Sequence, residues 1–300
     1  MSNFLLIGLC ISAGILFRYF KTLPEGAHRA INTWIIYLAL PAVSLKYLPY
    51  IVWNKTLLLP VLSPILVWLL GWLYIRLLSK PLNTNPSTIS GITLTTSLSN
   101  TSFIGFPLVM AYFGEQHIGT AVICDQITFI LLSTVGIIEA LRAQGSEHIS
   151  VCAILKKVLR FPPFLGCLVA LSIPHYIDIS IFNPLFDKLA STVGPLALFS
   201  IGLQLQIKGW TRAIKTISAS LLFKLFLAPL AVYILTLLLK INGSIAQISI
   251  FEMAMPPLLT ASVIADEYQL NPKLINLVIS IGILCAFITT AIWWIYIKGL

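Results

Sequence analysis

Charge is what this chain has least of. Asp, Glu, Lys and Arg make up 10% of its 300 residues, 58% are hydrophobic, and the mean hydropathy is +0.95. Soluble domains carry about 25% charged residues, so this composition excludes that class and implies a polytopic membrane protein with the lipid bilayer as partner. Cysteine is sparse and odd in number. Of Cys10, Cys124, Cys152, Cys167 and Cys285, four lie inside apolar runs, where they read as small core side chains and not as a disulfide frame. The histidines His28, His117, His148 and His175 fall in connections without metal-ligand spacing, so no metal and no cofactor is expected. The chain has no G-x-x-x-x-G-K-[ST], no H-E-x-x-H and no G-x-S-x-G. It is therefore expected not to be an enzyme, because hydrolysis of ATP, peptides or esters by those routes has no residues to perform it.

Long apolar runs fill the space that charge leaves. Stretches of about 20 apolar residues predict helices near 3–20, 30–49, 57–78, 88–113, 118–140, 161–177, 182–206, 213–239, 245–266 and 272–297. The first has no basic residue before it and Arg18 and Lys21 after it, which favours a retained helix with its N-terminus outside. Alternating connections carry thirteen Lys and Arg on one side and five on the other, with Lys224 inside a span. That bias predicts a multi-pass plasma (inner) membrane protein with both termini extracytoplasmic. It also accounts for most of the +9 formal charge. The cations are scattered over short loops without an aromatic-interleaved patch, so no nucleic acid is expected as a partner.

The polar connection at 142–160 divides the chain into 1–141 and 161–300, each with five predicted spans. Five is odd, so the second half enters from the opposite face, and similar halves are inverted copies. Pro41, in Leu40-Pro41-Ala42, and Pro195, in Gly194-Pro195-Leu196, lie 154 positions apart. The fourth span carries Ser99-Asn100-Thr101-Ser102 ahead of Gly105-Phe106-Pro107, and the ninth runs through Glu252-Met253-Ala254-Met255 into Pro256-Pro257. Gly105, Pro107, Pro256 and Pro257, with Pro41 and Pro195, are the expected helix breaks. Irregular backbone at bilayer depth survives only where protein buries it or a cavity solvates it, so the paired breaks predict a binding site at the midplane.

An ionisable side chain at that depth costs at least about 2.5–3.5 kcal/mol and so needs a partner or a function. Asp125, Lys224 and Glu252 stand out. Lys224 lies too deep to snorkel. It either holds an anionic substrate or neutralises Asp125 or Glu252 while the site is empty, and a permanent structural salt bridge is the alternative. Asp125 and Glu252 are the candidate coupling residues, for a proton or, alternatively, for sodium. Asn100, Thr101 and Ser102 offer amide and hydroxyl groups beside a half-helix N-terminus, an environment suited to a carboxylate, and they equally serve as caps for the broken helix. Asp266 and Glu267 read as solvated, and Glu139 and Arg142 as interfacial neighbours three apart on one helix.

At these residues the chain resembles the auxin efflux carrier family of secondary transporters, which includes plant PIN-type auxin carriers and bacterial carriers for dicarboxylates such as malate and malonate. Asn32 with Leu40-Pro41-Ala42 is similar to the family's second helix, and Ser99 to Leu108 to its fourth. Cys124-Asp125-Gln126-Ile127-Thr128-Phe129 is similar to the fifth, Gly194 to Leu203 to the seventh, Lys224 with Pro229 to the eighth, and Ala254-Met255-Pro256 followed by Ala265-Asp266-Glu267-Tyr268 to the ninth. The resemblance implies an all-α sodium/proton antiporter-like fold of ten transmembrane helices in two inverted five-helix repeats, with helices 4 and 9 broken and crossed. It further implies a scaffold of helices 1, 2, 6 and 7, a transport domain of helices 3–5 and 8–10 moving as an elevator, and a homodimer. Met255 and Pro256 join Asn100, Thr101, Ser102 and Lys224 as candidate contacts for a small organic anion. The third span has no buried acid and the central loop is short, which separates this chain from the plant auxin carriers. A channel or a ligand-sensing receptor is the competing function, but a single charged midplane site suits alternating access better than a filter of carbonyl rings.

Overall fold

The computed structural model describes residues 2–82, 84–145, 151–206 and 209–300; His148 and Lys208 of the sequence reading lie outside them. Among the described residues the chain is helical, with no strand and a single isolated antiparallel bridge, Ser99 with Pro257. Five helices, Ala27–Tyr50, Lys55–Ser79, Glu115–Ala143, Ile214–Leu239 and Pro272–Ile297, are long and apolar enough to cross a membrane. Asn3–Tyr19, Thr101–Tyr112 and Pro162–Ser172 are apolar but shorter. Large apolar side chains such as Leu5, Leu9, Leu238 and Ile288 stand two-thirds or more exposed, as lipid-facing positions must.

The chain forms two compact units. The first comprises Met1–Asn54, Ser102–Val122 and Leu159–Leu205. Here the helix Ser2–Tyr19 lies against Val193–Gln204, with Gly14 and Gly202 at the contact, where a Cβ on either would strike the other helix's backbone. Small residues permit this approach in an environment where lipid tails offer no hydrophobic drive. Ser200 donates its hydroxyl to Asn32 Oδ1 at 2.6 Å, so a polar pair between helices is satisfied internally.

The second unit comprises Lys55–Thr101, Ile123–Val158 and Gln206–Leu300. Its helix Pro86–Ser97 starts where Asn85 Oδ1 accepts the Thr88 N–H at 2.8 Å, with proline in the first turn. Glu139 does not sit at an interface with Arg142, as its spacing suggested. It is buried and pairs with Arg76 at 2.5 Å, while Ser90 donates to the same oxygen at 3.0 Å. The i,i+3 rule sees only one helix, and here a neighbouring helix supplies the cation.

Proline is absorbed differently from the expectation. Pro41, Pro107 and Pro229 each follow a wide π turn, at Ile35–Ala39, Thr101–Gly105 and Phe223–Leu227, and the helix continues through them. A proline ring clashes with the carbonyl four residues back and brings no N–H to it, and widening that turn removes the clash. Pro41, Gly105 and Pro107 are therefore not breaks. At Pro195 the helix yields by a single residue, Thr192, and resumes at Val193. The carbonyl of Leu225, four before Pro229, accepts the indole N–H of Trp293 at 2.9 Å, so a group that the proline cannot serve is bonded from the helix Pro272–Ile297.

Candidate functional site

Inside the predicted spans of the second unit the helical state is lost at 98–100 and at 254–260. In the first, the chain leaves Pro86–Ser97 with Leu98 extended, and it turns helical again at Thr101. In the second it leaves Ser244–Met253 and resumes at Ala261–Glu267. Pro256 and Pro257 explain the second break, since consecutive prolines supply no N–H and bias the residue before them away from helix. The first break contains no proline. Its backbone groups are instead bonded by the second: Asn100 N–H donates to the Pro256 carbonyl at 2.9 Å and Leu258 N–H to the Leu98 carbonyl at 3.0 Å. Two orphaned segments thereby satisfy each other by a one-rung antiparallel ladder. Gly282 on the helix Pro272–Ile297 lets this ladder approach, because a Cβ there would stand 2.6 Å from Pro257 Cδ.

Polar side chains collect around that crossing. Lys224, carried by the wide turn Phe223–Leu227, is 0% exposed. Its ammonium donates to Ser99 Oγ at 2.5 Å and to the Met253 carbonyl at 3.4 Å. An ammonium has three donors, so one is uncommitted. No carboxylate among the described residues lies within 4.0 Å of it, which sets aside the permanent salt bridge. Asn100 is 0% exposed, and neither its amide oxygen nor its amide nitrogen has a partner among the described residues. Glu252 is likewise 0% exposed with both carboxylate oxygens unpartnered. Thr101 donates its hydroxyl to Asp125 Oδ1 at 2.6 Å, and Asp125 and Glu252 are close enough to feel each other's charge.

Buried polar groups are nearly always bonded, so each orphan needs an explanation. Four bare atoms on Asn100 and Glu252, in the same unit as an ammonium with a donor to spare, form a set that a polar solute would complete. The amide and the ammonium can grip an anionic oxygen, and Glu252 with Asp125 can carry a proton or a cation.

Of the residues expected from sequence, Asn100, Thr101, Lys224, Met255, Pro256, Pro257, Asp125 and Glu252 all fall in this unit and all are buried. Pro256 contributes its carbonyl, which Asn100 uses, and not its ring. Ser102 belongs to the first unit, where its buried hydroxyl has no partner among the described residues. Sequence reading missed Ser99 and Met253 as the groups holding Lys224. Ser99 opens the same polar run and was open to detection, whereas a main-chain carbonyl freed at a helix end leaves no mark on residue type. Among the described residues no group of three His, Cys, Asp or Glu is placed to hold a metal ion.

Comparison with known proteins places this geometry in context. The model of the family described as membrane transport protein matches residues 4–294. An uncharacterized transporter of Methanocaldococcus jannaschii is 24% identical over 99% of this chain and 99% of its own length. The uncharacterized transporter YfdV of Escherichia coli K12 is 23% identical over 66% of this chain and 64% of its own. A probable auxin efflux carrier component 9 of rice is 24% identical over 51% of this chain and 38% of its own.

Proposed function

This chain belongs to the membrane transport protein family of auxin efflux carrier type, and from that premise we propose that it is a secondary active transporter of a small carboxylate-type organic anion. It is an integral membrane transporter and not an enzyme. The observation that carries the substrate class is the set of bare atoms on Asn100, the residue after the Ser99 that Lys224 holds, together with the uncommitted donor of Lys224, at the crossing of two broken helices. In a water-excluded setting such donors favour an anion strongly and leave an unfilled site costly.

In this reading Asn100, Thr101 and Lys224 bind the anion, Met255 and Pro256 shape the second segment, and Asp125 and Glu252 carry the coupling proton. Transport proceeds by elevator-like alternating access within ten spans arranged as two inverted repeats, 1–141 and 161–300, joined by a cytoplasmic 142–160. Helices 1, 2, 6 and 7 serve as scaffold in a homodimer, with both termini outside. These features extend the family resemblance.

A thermal-shift screen of the purified protein against mono- and dicarboxylates, amino acids and phosphonates tests the substrate class. The expected hit is a carboxylate whose effect disappears in both Lys224→Ala and Asn100→Ala; a hit indifferent to both removes the crossing from binding. Coupling is tested in proteoliposomes by the response of uptake to a pH gradient. Asp125→Asn and Glu252→Gln are expected to blunt it, and an unchanged response in both variants excludes them as proton carriers.

A further inference from the structure

A cavity of about 190 Å³ is built entirely from first-unit residues and shares none with the crossing. Its walls are apolar, formed in large part by Leu6, Ile7, Val43, Phe106, Met110 and Val193. An apolar cavity of about 150 Å³ is enough for benzene, so this one holds a ring with a short side chain. Lys46, Tyr47 and Glu115 also line it and supply its one charged region.

That region has a definite sign. Lys46 Nζ lies 2.5 Å from Glu115 and 2.8 Å from Asp187, and the Tyr47 hydroxyl donates to the same Glu115 oxygen at 2.7 Å. Two carboxylates share one ammonium, leaving one negative charge in excess. Both carboxylate side chains are more than half exposed, at 59% and 56%, while Lys46 is 21% exposed. An entering anion would have to take Lys46 from partners it already holds and then sit beside the carboxylates it displaced. An entering cation meets the Glu115 carboxylate in the cavity wall, with Asp187, 2.8 Å from Lys46, adding to the negative field, and it need not displace Lys46 from either carboxylate.

We propose that this cavity binds a small amphipathic organic cation, its ammonium held by Glu115 in the excess negative charge that Asp187 supplies through Lys46, and its aryl or short alkyl body among the apolar walls. The site goes beyond the anion-carrying role of the crossing and does not rest on it.

The test is calorimetric titration of the purified full chain with phenethylammonium, with ethylammonium and with 3-phenylpropionate. Phenethylammonium should bind saturably, ethylammonium, which lacks the ring, at least about tenfold more weakly, and 3-phenylpropionate should leave phenethylammonium binding unaffected. Glu115→Gln and, separately, Asp187→Asn should each weaken the cation by up to about fivefold, the upper end for an exposed ion pair. Ala190→Leu, which places a larger side chain in the cavity wall, should abolish binding. Three results would overturn the assignment: competition by the carboxylate, charge-neutral variants that bind the cation as well as the parent does, or an Ala190→Leu protein that still binds it. Asp187 lies on a different segment from Glu115 and is itself 56% exposed, so Asp187→Asn gives the charge test even if Glu115→Gln fails to fold.

Discussion

Replacing Lys224 by Met separates a binding role from a structural one. The two hydrogen bonds of the ammonium, 2.5 Å to Ser99 and 3.4 Å to the Met253 carbonyl, contribute about 1.5–3 kcal/mol each for a charged donor, with the longer one at the weak end. Opposing them is the several-kcal/mol cost of holding an ammonium at 0% exposure with no carboxylate among the described residues within 4.0 Å. Methionine is unbranched, flexible and apolar, and it fills nearly the same space. The two terms cancel to within about 2 kcal/mol, so Tm should move by no more than about 8 °C in either direction. Ligand binding has no such compensation. Loss of a desolvated charged contact costs about 2–5 kcal/mol, equivalent to roughly 30- to 4,000-fold in Kd for the carboxylate found by screening. Thermal unfolding and isothermal titration on the same preparation read both quantities. A variant that loses more than about 10 °C yet binds with parental affinity would refute the argument, because Lys224 would then hold the fold and not the solute.

Three further substitutions probe the supports of the crossing. Arg76→Ala leaves the buried Glu139 carboxylate with Ser90 alone and should cost about 3 kcal/mol, the low end for a broken pair because Arg76 is partly exposed; a denaturant titration in which Arg76→Ala/Glu139→Leu recovers most of that loss confirms the pairing. Trp293→Phe strips the Leu225 carbonyl of its indole donor and should lower stability by about 1–3 kcal/mol, visible as a fall in Tm. Gly282→Ala places a methyl 2.6 Å from Pro257 and 2.9 Å from Leu221 Cδ2, so it should cost about 1–3 kcal/mol of overpacking and weaken carboxylate binding; unchanged Tm and Kd would mean that the helix simply moves aside.

Depth in an apolar run was enough to mark Asp125, Lys224 and Glu252 as buried, and they are 1%, 0% and 0% exposed. The same logic found the two interrupted segments, because Pro256-Pro257 and the run from Ser99 to Ser102 stand out against hydrocarbon. Where the first one opens was misread. Gly105 and Pro107 drew attention, but a π turn takes up a single proline without loss of helix, and the chain instead opens at 98–100, where no residue type forbids helix. That stretch is extended because the second segment offers it hydrogen-bond partners, a tertiary cause invisible to local pattern. The Lys46 cluster was equally hidden, since Glu115 and Asp187 come from separate segments and their loops carry charge for ordinary reasons of solvation.

The two main-chain bonds from Asn100 to Pro256 and from Leu258 to Leu98 carry an implication for biogenesis. They join stretches about 160 residues apart, a late and entropically unfavourable closure. During translation the opening at 98–100 waits in the membrane until residue 258 has been made. Nascent chains halted before that point expose unsatisfied amides to lipid, so they should be substrates for membrane quality-control proteases, whereas chains released after it should persist.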